Sequence, residues 1–279
     1  MRAGLARGDG VIAGVGPVLR HLLVNDDRDY VADDIMATLR GMVADVARQL
    51  AGQDAPDLAQ ALVDVPGLVA QAHALACEGQ ITRRLRETLG LDSVLSPLMQ
   101  ALIASPRGET AALAMQVLAA QARFVQQQRR MHWPLTELPA EVLHGVLELS
   151  GDTHREAALR ADYDEGATRL SLLDRLIAQM GAGSVAALDL THAGVPIFAT
   201  ALGQAACQGR MAALLSMLSR HIERLVLGLR TAGASAGVVE ATLLALHPDA
   251  SPPAGLGRLD AERAARLLAQ ADPLPGGGR

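Results

Sequence analysis

The chain has 279 residues, half of them hydrophobic and a fifth charged, a globular balance that excludes a disordered polar chain. Aromatics make up only 2 %, so the apolar content is Ala, Leu, Val, Ile and Met. These side chains favour helix and let helices approach closely, and the alternating β-branched runs of strands are missing. The net charge of −5 argues against general nucleic-acid binding, which needs a basic face.

In chain order, residues 18–24 form a first helix candidate after Gly16-Pro17. Asp27 or Asp29 caps the next, whose Val31, Ile35, Leu39, Met42, Val46 and Leu50 recur at helical steps up to Gly52. Pro56 starts a short helix ending near Asp64. Pro66-Gly67 opens another that stops at Gly79, and Ile81, Leu85 and Leu89 mark a further one closed by Gly90. Ser96-Pro97 starts a helix through Ile103, and a long helix spans 109–131 with Leu113, Val117, Phe124 and Met131 on its apolar side. Pro139 begins a helix through Leu149, and Thr153 with Glu156 has the spacing of a capping box. Leu170 to Met180 follows, ended by Gly181. Ser184 caps a short turn, Pro196 opens a helix to Gln208, and Gly209 ends it.

The most regular pattern is Met211, Leu215, Leu218, Ile222, Leu225 and Leu229, at steps of 4, 3, 4, 3, 4. A 3.5-residue repeat predicts a seam along one helix, either buried in the bundle or pairing two copies of the chain. A final helix pair covers 235–246 and 260–270. The segments read as 1–133, 134–272 and a mobile tail at 273–279, the first two forming separate regions or one continuous domain. Short connections predict an all-α array of antiparallel helix pairs, an α-solenoid or a layered helical bundle. Ala76-Cys77-Glu78-Gly79 echoes Ala206-Cys207-Gln208-Gly209, each placing a Cys two residues before an expected helix-ending Gly.

Residues 119–124 (Ala-Ala-Gln-Ala-Arg-Phe), 128–131 (Gln-Arg-Arg-Met) and Pro134-Leu135 stand together with Glu137-Leu-Pro139, His144, Ala193-Gly194, Phe198 and Gln208-Gly209. Over roughly residues 70–250 this set resembles a HEAT-like, all-helical bacterial family known only as a domain of unknown function. The resemblance implies a helical fold and carries over no functional residue.

Chemistry-bearing residues are few. Cys77 and Cys207 lack metal or redox spacing and read as two buried thiols of a reducing, cytoplasmic compartment. No leader is read at the N-terminus, and no run of about 18 apolar residues predicts a membrane span. His73 and Cys77 lie one turn apart, but a metal site needs three or four ligands. Glu141-x-x-His144 has the spacing of carboxylate di-metal bundles, with Asp189-x-x-His192 the nearest second copy. We expect no metal and no cofactor. His221, in Ser219-Arg220-His221-Ile222-Glu223, invites a phosphorelay reading, against the plainer one of a histidine at the edge of a packed face. The glycine-rich turns follow no strand, so none is a phosphate loop.

Arg83, Arg84 and Arg86 form one basic spot, which a pairing of Arg83 with Glu87 would make a solvated face. Arg123, Arg129 and Arg130 form a second, followed by His132 and Trp133. Because Arg and Trp dominate interface hot spots, these five residues are the expected partner surface. The sequence therefore predicts a non-enzymatic helical-repeat adaptor or scaffold that binds another protein or a second copy of itself. The alternatives are a phosphorelay protein using His221 and a bundle holding a small apolar ligand.

Overall fold

The computed structural model describes residues 33–218, 222–253 and 255–270. Within them the chain is all-α, with 14 α-helices, four short 3-10 turns and no strand. The helix expected at 18–24, the tail at 273–279 and His221 lie outside the described residues. None of the described helices is long and apolar enough to cross a membrane.

Helix α1 (Asp33–Ala51) buries Ile35, Leu39, Met42, Val46 and Leu50, the expected stripe apart from Val31, which lies outside the described residues. It packs on α2 (Pro56–Leu62) and on α3 (Leu68–Leu89). Helix α3 is the first departure from expectation, because it runs unbroken through Gly79 for 22 residues. Gly79 marks a close approach instead. A Cβ there would stand 1.9 Å from Oε1 of Gln128, on α5 (Gly108–Arg129), which crosses at this point. The echo with Cys207-Gln208-Gly209 therefore fails structurally, since only Gly209 follows a helix end and has positive φ.

Helix α3 is buried on several sides. Leu68, Ala72 and Leu75 join a core with α1, α2 and residues 133–147. Ala74, Ile81 and Leu85 join a second core with α4 (Pro97–Ile103), α5 and the later helices. Ala76 and Cys77 meet Ile35 and Leu215 in a third cluster. The expected division at 133/134 is not followed by packing, since Trp133, Leu135, Leu138 and Val142 share a core with residues 36–75.

Helices α6 (Ala140–Leu147) and α7 (Thr153–Asp162) follow. The cap of α7 is Asp152, which accepts from the amides of His154 and Arg155. Thr153 is already helical, and Glu156 pairs with Arg160 rather than closing a capping box. Helix α8 (Arg169–Met180) packs against α5, and α9 (Leu190–Ala193) leads into α10 (Val195–Ala205).

The regular 211–229 pattern is two helices, α11 (Arg210–Leu218) and α12 (Glu223–Thr231). Leu225 and Leu229 are fully buried, Leu215 and Ile222 nearly so, and Met211 and Leu218 pack partly buried against the same cores. The seam thus faces other helices of its own chain. Helices α13 (Ala236–Leu246) and α14 (Ala261–Ala269) close the fold, capped by Ser235 and Asp260 as their positions predict.

Candidate functional site

The two basic spots of the sequence converge. Between α3 and α5 lies a cleft of about 410 Å³ whose walls carry Arg83 and Arg86 from α3 and Arg129 from α5. Among the described residues Glu87 is the one acidic side chain of the lining, Thr82 and Ser93 add hydroxyls, and Gln121 and Phe124 reach it from α5. The α3–α5 contact is fixed where Gln128 covers Gly79 and donates through Nε2 to the Leu75 carbonyl at 2.7 Å. Arg83 pairs with Asp34 of α1 at 3.5 Å instead of with Glu87, and both partners are exposed. Arg84 turns away and donates to the Leu246 carbonyl of α13 at 2.9 Å.

Behind the cleft is a buried ionic network. Glu78 is fully buried on α3. Its two oxygens accept from Nη1 and Nη2 of Arg169 at 2.7 and 2.8 Å, and from Nη2 of Arg210 at 2.7 Å. Arg169, at the start of α8, also donates to Oε1 of Gln121 and lies 3.6 Å from the Phe124 ring centroid, a cation–π contact. Gln121 in turn donates to the Ser93 carbonyl, and Arg210 donates to the Thr200 hydroxyl on α10. Burial alone would raise the Glu78 carboxyl, but the two guanidinium groups outweigh it and hold it at about 2. The carboxylate thus joins α3 to α8 and α11, and its two arginines extend the network to α5 and α10.

The expected partner residues separate. Arg129 lines the cleft, whereas Arg123 and Arg130 are exposed outside its lining. Trp133 is 3 % exposed, so it packs the α1 core and presents no surface to a partner. The reason is polar as well as apolar. Past α5 the chain turns through Met131, at a φ of 52°. Asp45 of α1 then accepts from the Trp133 amide at 3.0 Å and faces His132 Nδ1 at 2.8 Å. Gln49 donates to the Trp133 carbonyl and accepts from the Leu135 amide, completing the grip. His132 and Trp133 are therefore anchors of the fold.

The other candidates resolve into structural roles. His73 Nε2 lies 3.4 Å from Cys77 Sγ, both buried. Burial lowers the imidazole to about 4 and raises the thiol, so the pair is neutral and no thiolate is poised for attack. His144 meets Glu148 and Arg160, and Asp189 caps α9 through the amides of Thr191 and His192. Among the described residues, no three His, Cys, Asp or Glu side chains gather as a metal site.

Buried neutral histidine predicts an acid dependence. His73 is 6.5 unfolded and about 4 folded, so its contribution is complete above about pH 6.5 and lost as pH falls towards 4. The loss amounts to about 3 kcal/mol below that window. His247, also lowered by burial with Arg84 adding to the effect, contributes in the same direction. Between pH 7 and 4 the denaturant midpoint of wild type should fall relative to that of His73→Phe; parallel curves would contradict a neutral His73. Glu78, held at about 2, acts in a lower window, between its ordinary 4.5 and 2.

These residues define a basic, solvent-reachable cleft on an all-helical scaffold stiffened by a buried charge network. No protein-family model, curated protein or solved structure matches the chain.

Glu78, Gln121, Arg169 and Arg210 were missed in the sequence. A signal existed for Glu78, which lies three residues from both Leu75 and Ile81 and seven from Leu85, a charge on an apolar face. Such a charge needs a buried partner, but the sequence does not say that Arg169 and Arg210 supply it.

Proposed function

We propose that the protein is a non-enzymatic adaptor or scaffold that engages an acidic partner through the cleft between α3 and α5. The observation that carries this reading is the convergence of Arg83, Arg86 and Arg129 on one cleft whose lining holds a single carboxylate. The cleft is a local basic site on a chain whose net charge is −5, and a concave basic wall focuses field onto an anion. The partner contributes acidic side chains, and association depends on ionic strength. The charged rim favours this ligand class over a small apolar one. Cys77 is buried as expected, whereas Cys207 is exposed because it falls in the turn just past α10, at a φ of 52°; both are free thiols, which suits the cytoplasmic location we assign.

A fluorescent Asp/Glu-rich peptide tests the reading. Charge reversal of the two walls, Arg86→Glu with Arg129→Glu, should weaken its binding by about 100-fold or more, since each replaces attraction by repulsion. Raising the salt should weaken wild-type binding. Equal affinity of wild type and double variant would remove the cleft as the binding site.

A further inference from the structure

The charge and size of the cleft specify the anion further, an inference that rests on the reading above. Among the described residues its lining holds three guanidinium groups and one carboxylate, a formal balance of three minus one, or +2, which falls to +1 while Asp34 pairs with Arg83. Arg86 and Arg129 make no side-chain hydrogen bond or ion pair with the described residues. The bridge of Arg83 to Asp34 is an exposed pair that an arriving ligand can replace at little cost. Two free forks on opposing walls suit an anion with several oxygens and close to two charges. A phosphomonoester has three acceptor oxygens and between one and a half and two negative charges near neutral pH, whereas a carboxylate has two oxygens and one charge.

The floor agrees. Gln121 and Phe124 line the cleft and are both held by Arg169, whose guanidinium pairs with Glu78 in the buried network behind it. Gln121 cannot swing away, because both ends of its amide are engaged, with Arg169 and with the Ser93 carbonyl. The volume of about 410 Å³ exceeds the needs of a bare phosphate. It matches a phosphate with a small body attached, at the lower end of the range for ligand pockets. Phe124 and Val125 offer that body an apolar wall.

We propose that the α3/α5 cleft is a phosphomonoester-binding site in which Arg86 and Arg129 clamp the phosphate oxygens from opposite walls. The phosphate is carried by a side chain of the acidic partner or by a small molecule, and the chemistry recognised is the same.

Titration calorimetry of the full chain at low salt tests this with four probes: a short alanine-based peptide bearing one phosphoserine, its glutamate and serine counterparts, and glycerol 3-phosphate. The phosphoserine peptide should bind at least about 10-fold tighter than the glutamate peptide, and the serine peptide should not bind. Arg86→Gln and Arg129→Gln should each weaken the phosphoserine peptide by about 10-fold or more. Arg160→Gln, which removes an exposed guanidinium already paired with Glu156, should leave it unchanged. If glycerol 3-phosphate binds as tightly as the peptide, the proposal holds with a small molecule as the source. Equal binding of the phosphoserine and glutamate peptides overturns the phosphomonoester and leaves the acidic-partner reading intact. Binding of none of the phosphoserine peptide, the glutamate peptide and glycerol 3-phosphate overturns both.

Discussion

Glu78→Ala is expected to destabilise the protein by about 3–5 kcal/mol, the cost of leaving buried guanidinium groups without their counter-charge. Arg169 is 3 % exposed and Arg210 also lies largely inside, so neither can turn to water without opening the contacts of α3 with α8 and α11. For a chain of this size the loss should lower Tm by roughly 10 °C. The informative companion is the triple replacement Glu78→Leu, Arg169→Met, Arg210→Met. It removes all three charges together and should cost far less than Glu78→Ala alone, because desolvation of a buried network offsets most of its attraction. A triple variant as unstable as Glu78→Ala would show that the carboxylate acts through packing. Calorimetric scans of the three proteins decide it.

Trp133→Ala should be comparably damaging, at about 3–5 kcal/mol for a large aromatic removed from a core. The side chain fills the space between α1 and residues 135–147, and the backbone on either side of it is held by Asp45 and Gln49. The indole Nε1 makes no hydrogen bond with the described residues, so Trp133→Phe loses mainly volume and should retain most of the stability. Urea midpoints for the two variants test this, and an alanine variant within about 1 kcal/mol of wild type would contradict the burial of Trp133 as a stabilising element. Trp133 is for the same reason unsuited to a test of partner binding, since its loss would act on the fold before it acted on any interface.

The contrast between Trp133 and Arg129 shows what was legible in the sequence. Local rules located the helices: Ser96-Pro97, Gly181, Ser235 and Asp260 act where capping chemistry puts them. They failed at Gly79, because a glycine that ends a helix and one that admits a crossing helix look alike in one dimension. They failed again at 211–229, where the apolar spacing survives a break between two helices. Both basic spots were visible, yet their convergence is a long-range contact between α3 and α5 that no spacing encodes. Nor does adjacency in the chain predict direction: one turn of backbone at Met131 sends Arg129 outward and Trp133 into the core.

The cleft itself is tested most directly by following the arginine side-chain Nε–Hε resonances of the folded protein as an acidic peptide is added. The Arg86 and Arg129 signals should shift in step and saturate together, while those of Arg160 and Arg266, exposed and already paired along their own helices, stay in place. Saturating shifts confined to guanidinium groups outside the cleft, with Arg86 and Arg129 unmoved, would contradict it.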